Sequence, residues 1–125
     1  MKRTSKILKA NDVSYSEELE GRDYFQVLFQ AGQEPREGYV LLQRQFEIAD
    51  GGESYFECDE FERSGHYVIK QARLRRNSLA IEIPGSTGGN WEINFEIDDQ
   101  RYEALKEVLG IVLRKPSRLV VVEDG

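Results

Sequence analysis

From about Tyr24 to Ile97 an alternation of apolar and polar positions dominates the chain, and beyond Asp98 apolar residues return at every third or fourth position. The first spacing places side chains alternately on the two faces of a strand, and the second aligns them on one side of a helix. "DYFQVLFQA" sets Phe25, Val27 and Phe29 against Tyr24, Gln26, Leu28 and Gln30. "SLAIEI" sends Leu79, Ile81 and Ile83 inward and Ala80 and Glu82 outward, and "WEINFEI" does the same with Trp91, Ile93, Phe95 and Ile97. "GYVLLQRQFEI" is also a strand, but Leu41 and Leu42 sit on opposite parities, so its inward face over 39–47 stays open. "HYVIKQARLRR" is expected as one long strand with a bulge, because Ile69 and Leu74 differ in parity. Between the strands, "GQEPREG" and "PGSTGGN" are loops, "ADGG" has hairpin chemistry, and Arg76 and Asn77 form a tight turn.

The helix is expected over Asp99 to Leu113. Tyr102, Leu105, Val108, Leu109 and Val112 line one face, and Asp98 or Asp99 caps the start. Arg114 and Lys115 complement the negative C-terminal end, and Pro116 stops it. "RLVVV" follows as a short last strand. The pattern implies a single α+β domain over residues 1–125: a mostly antiparallel β-sheet of about six or seven strands, one C-terminal α-helix packed on it, and the last strand. Phe25, Val27, Phe29, Leu79, Ile81, Phe95, Leu105 and Leu109 are expected to share its core.

Charged residues are 32% of the 125-residue chain, and the net charge is -6 at pH 7. That balance suits a monomer and argues against direct nucleic-acid binding, which needs clustered Lys and Arg. Cys58 is the only cysteine, so no intrachain disulfide is possible. "MKRTSKILKAND" has no apolar core of a signal peptide, and no run is long enough to span a membrane, so a cytoplasmic location is the expectation.

Seven carboxylates lie between Glu47 and Glu62 without a lysine or arginine. They do not read as a calcium loop, because alternating ligands and the central glycine of an EF-hand are missing. Cys58 and His66, the only cysteine and histidine, share no zinc motif, and no cofactor is implied. Glu57 and Asp59 would act as an acid–base pair only inside a cleft that separates their pKa values. "GSTGG" lacks the lysine and the following helix of a phosphate loop. The basic run from Arg63 to Arg76 is read as pairing across strands with the acidic stretch before it. If Phe56 and Cys58 point inward, Glu53, Tyr55, Glu57 and Asp59 line an outward face. There an aromatic anchor sits among steering charges.

"GYVLLQRQFE", "ESYFECD", "ARLRRNSLAIEI" and "INFEIDDQRYEALKEVL", in this order, resemble the immunity protein 10 family. Its members are encoded beside toxins in bacterial polymorphic-toxin systems. The resemblance runs from about Tyr24 to Leu113 and rests on segment order. It implies a non-enzymatic protein that binds and neutralises a cognate toxin. A basic, nuclease-like toxin would suit the acidic face, with Glu53, Tyr55, Glu57 and Asp59 as its contacts. A small ligand-binding module or enzyme with a polar pocket in the sheet is the alternative.

Overall fold

The computed structural model describes residues 5–16, 24–33, 38–45, 54–58, 65–67, 69–83, 89–113 and 117–122. Within them the chain is α+β. Ten strands are seen: β1 (Ser5–Lys9), β2 (Asp12–Tyr15), β3 (Tyr24–Gln30), β4 (Tyr39–Gln45), β5 (Ser54–Cys58), β6 (Gly65–Tyr67), β7 (Gln71–Arg75), β8 (Ser78–Ile83), β9 (Gly89–Asn94) and β10 (Leu119–Val121). The helix α1 spans Asp99–Val112. The strands build two five-stranded sheets rather than one.

The antiparallel sheet is a meander, β2-β3-β4-β5-β6, in which each strand pairs with its neighbour in sequence. The other sheet is mixed, in the order β1-β9-β8-β7-β10. Its centre is antiparallel, but both edge strands, β1 beside β9 and β10 beside β7, run parallel. Each sheet turns its apolar parity toward a shared core. Phe56 of the antiparallel sheet meets Trp91 of the mixed sheet with ring centroids 5.7 Å apart, and Phe29 stacks on Phe95 at the same separation.

All eight expected core residues are buried there together. On α1, Tyr102, Leu105, Val108, Leu109 and Val112 are buried, and the helix packs along β3 and β4 and reaches β10. Asp98 is the cap: its carboxylate accepts from the Arg101 backbone N–H at 2.8 Å. Asp99 instead pairs with Arg76. Leu113 closes the helix, its N–H donating to the Leu109 carbonyl. Arg114, Lys115 and Pro116 lie outside the described residues, as do the "ADGG" hairpin and most of the "GQEPREG" and "PGSTGGN" loops.

Three expectations need correction. The first is that "HYVIKQARLRR" does not form a single bulged strand. It is β6 in the antiparallel sheet and β7 in the mixed one. The parity break between Ile69 and Leu74 marks a corner where the chain changes sheets. Ile69 is buried there, and its N–H donates to the Ser117 hydroxyl at 2.9 Å. Its carbonyl accepts from the Arg118 N–H, which fastens the corner to the start of β10.

The second correction concerns the basic run. β5 lies beside β4 and β6, in a different sheet from β7, so β7 does not pair with the acidic strand. Lys70 lies 3.6 Å from Glu82, and Arg76 lies 2.7 Å from Asp99.

The third is the strand count, which rises partly because β1 and β2 carry few apolar residues to show their alternation. Leu8 and Val13 are the buried hydrophobics of these strands. A second sheet change joins them. The Ala10 N–H donates to Asn94 of β9, and the next N–H, of Asn11, donates to Gln30 of β3. Close by, Gly38 has φ +110, which disfavours any side chain, and a Cβ there would come within 3.1 Å of the Leu8 side chain.

The open face of β4 is settled by its partners. Val40 pairs with Phe29 and Leu42 with Val27, so that parity points into the core, and Arg44 follows it to 6% exposure. Tyr39, Leu41 and Gln43 therefore face outward.

Candidate functional site

The inward burial of Phe56 and Cys58 leaves Tyr55 and Glu57 on the outer face of the antiparallel sheet, as their parity required. Glu53 and Asp59 lie outside the described residues. His66 stands opposite Tyr55 in the register of β6, and Cys58 is a buried thiol in no disulfide.

Register gives Tyr55 and Glu57 their neighbours. Glu57 pairs with Leu41 and Tyr55 with Gln43 across β5 and β4. Across β4 and β3, Leu41 pairs with Leu28, Gln43 with Gln26, and Tyr39 with Gln30. Two leucines thus form the middle of the face. Glutamines and tyrosines surround them, all partly exposed. Glu57 is the one charge among the outward side chains described on these three strands. A shallow groove of about 320 Å³ runs over them, lined by Gln26, Leu28, Gln30, Tyr39, Leu41 and Glu57.

Glu57 is held from two sides. The Tyr39 hydroxyl donates to its Oε2 at 2.6 Å, and the Tyr55 hydroxyl donates to its Oε1 at 2.7 Å. Bonds this short are usual when a hydroxyl meets an ionised carboxylate. Both phenols are pushed above their ordinary value of 10.0. For Tyr39 burial is the main cause, followed by the bond to Glu57. For Tyr55 that bond comes first and burial second. Both tyrosines are therefore proton donors at neutral pH.

The sequence had singled out Tyr55 and Glu57 but missed Tyr39, Leu28, Leu41 and the glutamines. Tyr39 lies 18 positions from Glu57. Only the β4–β5 register brings them together. The glutamine and leucine parity of β3 was readable as its outer face, but nothing in one strand's sequence says which strand lies beside it.

The remaining candidates carry less chemistry. Among the described residues, no group of three or more His, Cys, Asp and Glu is arranged to hold a metal ion. Among them, too, no helix is long and apolar enough to cross a membrane. A groove of about 250 Å³ on the outside of the mixed sheet lies over Ala80, between Arg73 and Glu92, and is open and charged. No family model, curated protein or solved structure matches this chain.

Proposed function

We propose that this chain is a non-enzymatic binding protein, an immunity protein that neutralises a basic toxin by covering it with the outer face of its antiparallel sheet. One observation carries the reading. In a chain with 32% charged residues, the described outer face of β3, β4 and β5 presents leucine, tyrosine and glutamine around a single carboxylate. Interface centres are depleted of charge and enriched in tyrosine, whereas solvated faces are not. The resemblance to immunity protein 10 supplies the kind of partner, and the net charge of -6 favours a basic one.

The contact surface proposed is broader than one strand. Tyr55 and Glu57 stay in it, joined by Tyr39, Leu28 and Leu41 of the neighbouring strands. Tyr55 is the aromatic anchor, and Glu57 contributes charge.

The test uses the product of the gene adjacent to this one, purified as an inactive variant. Calorimetric titration against the wild-type chain is expected to show a one-to-one complex. Tyr55→Ala is expected to weaken it about 30-fold, equivalent to a hot-spot loss of about 2 kcal/mol. A complex that forms with wild-type affinity in both Tyr55→Ala and Leu41→Lys would rule out this face as the contact. Saturable binding of a small polar metabolite in the groove, with no protein partner, would favour the ligand-binding alternative.

A further inference from the structure

We propose that the Glu57 carboxylate, held between the hydroxyls of Tyr39 and Tyr55, is a receptor for an arginine side chain of the partner protein. This rests on the reading of the outer face as the docking surface, and it assigns the chemistry of one contact within it.

The geometry has three parts. Each carboxylate oxygen already accepts one phenol hydrogen bond, at 2.6 and 2.7 Å, so the plane of the group is fixed by two donors on different strands. An ionised carboxylate offers about four acceptor positions, so roughly two remain for an incoming donor. Among the described residues no lysine or arginine forms an ion pair with it. Other carboxylates are arranged otherwise: Glu82 of the mixed sheet has Lys70, and Asp99 at the start of α1 has Arg76.

The surroundings select the cation. Leu41 is the direct cross-strand neighbour of Glu57, and Leu28 stands beyond it. A partner seated on this face therefore strips water from around the carboxylate, which costs free energy unless a cation replaces it. A guanidinium presents a planar fork that matches two carboxylate oxygens, is more weakly hydrated than an ammonium and interacts favourably with aromatic rings. An ammonium offers none of these three advantages to the same degree. The Tyr39 and Tyr55 hydroxyls bracket the carboxylate that would receive it. The phenols remain protonated at neutral pH, so they orient the carboxylate without competing for the cation.

The probe is acetyl-Gly-Arg-Gly-amide, compared with its lysine and citrulline counterparts in 150 mM NaCl. Binding is followed by NMR through the Glu57 side-chain carboxyl and the Leu28 and Leu41 methyl resonances. The arginine peptide is expected to give saturable shifts. The lysine peptide should bind about fivefold more weakly and the uncharged citrulline peptide at least about tenfold more weakly. Glu57→Gln, which keeps the shape, should abolish the preference for arginine over citrulline, and Tyr39→Phe should reduce it. Glu92→Gln removes the same charge from the outside of the mixed sheet and should leave it unchanged.

Equal binding of the arginine and citrulline peptides, the absence of saturable shifts, or an arginine preference that survives Glu57→Gln would each overturn the proposal. The two readings fail separately. A toxin that docks through Tyr55 and Leu41 yet binds Glu57→Gln as tightly as wild type removes the arginine site and keeps the docking surface. An arginine site on a face that no protein occupies does the reverse.

Discussion

The two sheets obey the same alternation and bury comparable apolar faces, yet their outer faces differ in kind. On the mixed sheet, Arg73, Arg75, Glu82 and Glu92 point to solvent around Ala80. Lys70 reaches Glu82 there, the lysine well exposed and the glutamate partly so. This is a surface that water stabilises by itself. On the antiparallel sheet, Leu28 and Leu41 lie at the middle of the outer face, and among the described residues the carboxylate there is bonded to tyrosines instead of a cation. Period-two patterning specifies which side chains leave the core. It does not specify whether the departing side is finished for water or for a partner. That distinction lies in residue chemistry, read across neighbouring strands.

The largest effect is expected from beneath the docking face. Leu105 of α1 is fully buried in the helix face packed along β3 and β4. Leu105→Ala should cost about 2–5 kcal/mol in chemical denaturation. Wild-type stability would mean that the docking face is not supported by the helix. A matched pair of substitutions sharpens the contrast next. Leu41→Lys should weaken partner binding by at least about 30-fold, as expected of a hot-spot centre. Ala80→Lys, at the middle of the other outer face, should leave affinity unchanged. Equal effects in calorimetry would mean that the two faces are not functionally distinct.

A smaller effect is expected from the clamp. Tyr39→Phe leaves the ring but removes one hydrogen bond to a charged acceptor at a partly exposed site, and should cost about 1 kcal/mol of stability. The same clamp predicts a pH dependence. Both phenols titrate higher in the folded state than their ordinary 10.0, so folding favours their protonated forms. Their contribution is therefore complete below pH 10 and is lost as pH rises through the higher folded values. Absorbance titration of the phenolates should show two late-ionising tyrosines, and Glu57→Gln should bring both closer to the ordinary value. The smallest effect belongs to the mixed sheet. Lys70→Ala removes an exposed ion pair at 3.6 Å and should change stability by less than about 0.5 kcal/mol.

Particular residues show how far the sequence reaches. The parity of Phe25, Val27 and Phe29, the two-residue turn at Arg76 and Asn77, and the helix from Asp99 were all readable, because each depends on spacing within one segment. So were the inward placement of Phe56 and the outward placement of Tyr55 and Glu57. The inward face of β4 was not, since its two central leucines have opposite parity. Pairing with Val27 and Phe29 decided it. The change of sheet at Ile69 resembled a bulge, because a bulge and a corner both shift parity by one. Only the partners of the strands on either side tell them apart.

The candidate site divides along the same line. Alternation along one strand is local geometry, so the residues of β5 alone send Tyr55 and Glu57 out of the core together. Tertiary structure alone decided that Tyr39 would close on Glu57 from the next strand, that Leu41 and Leu28 would lie beside it, and that the basic residues of β7 would be taken into another sheet. Register and sheet membership arise from how several strands bury their apolar faces at once. No single segment carries that information, and it is what leaves this carboxylate among phenols and leucines without a cation among the described residues.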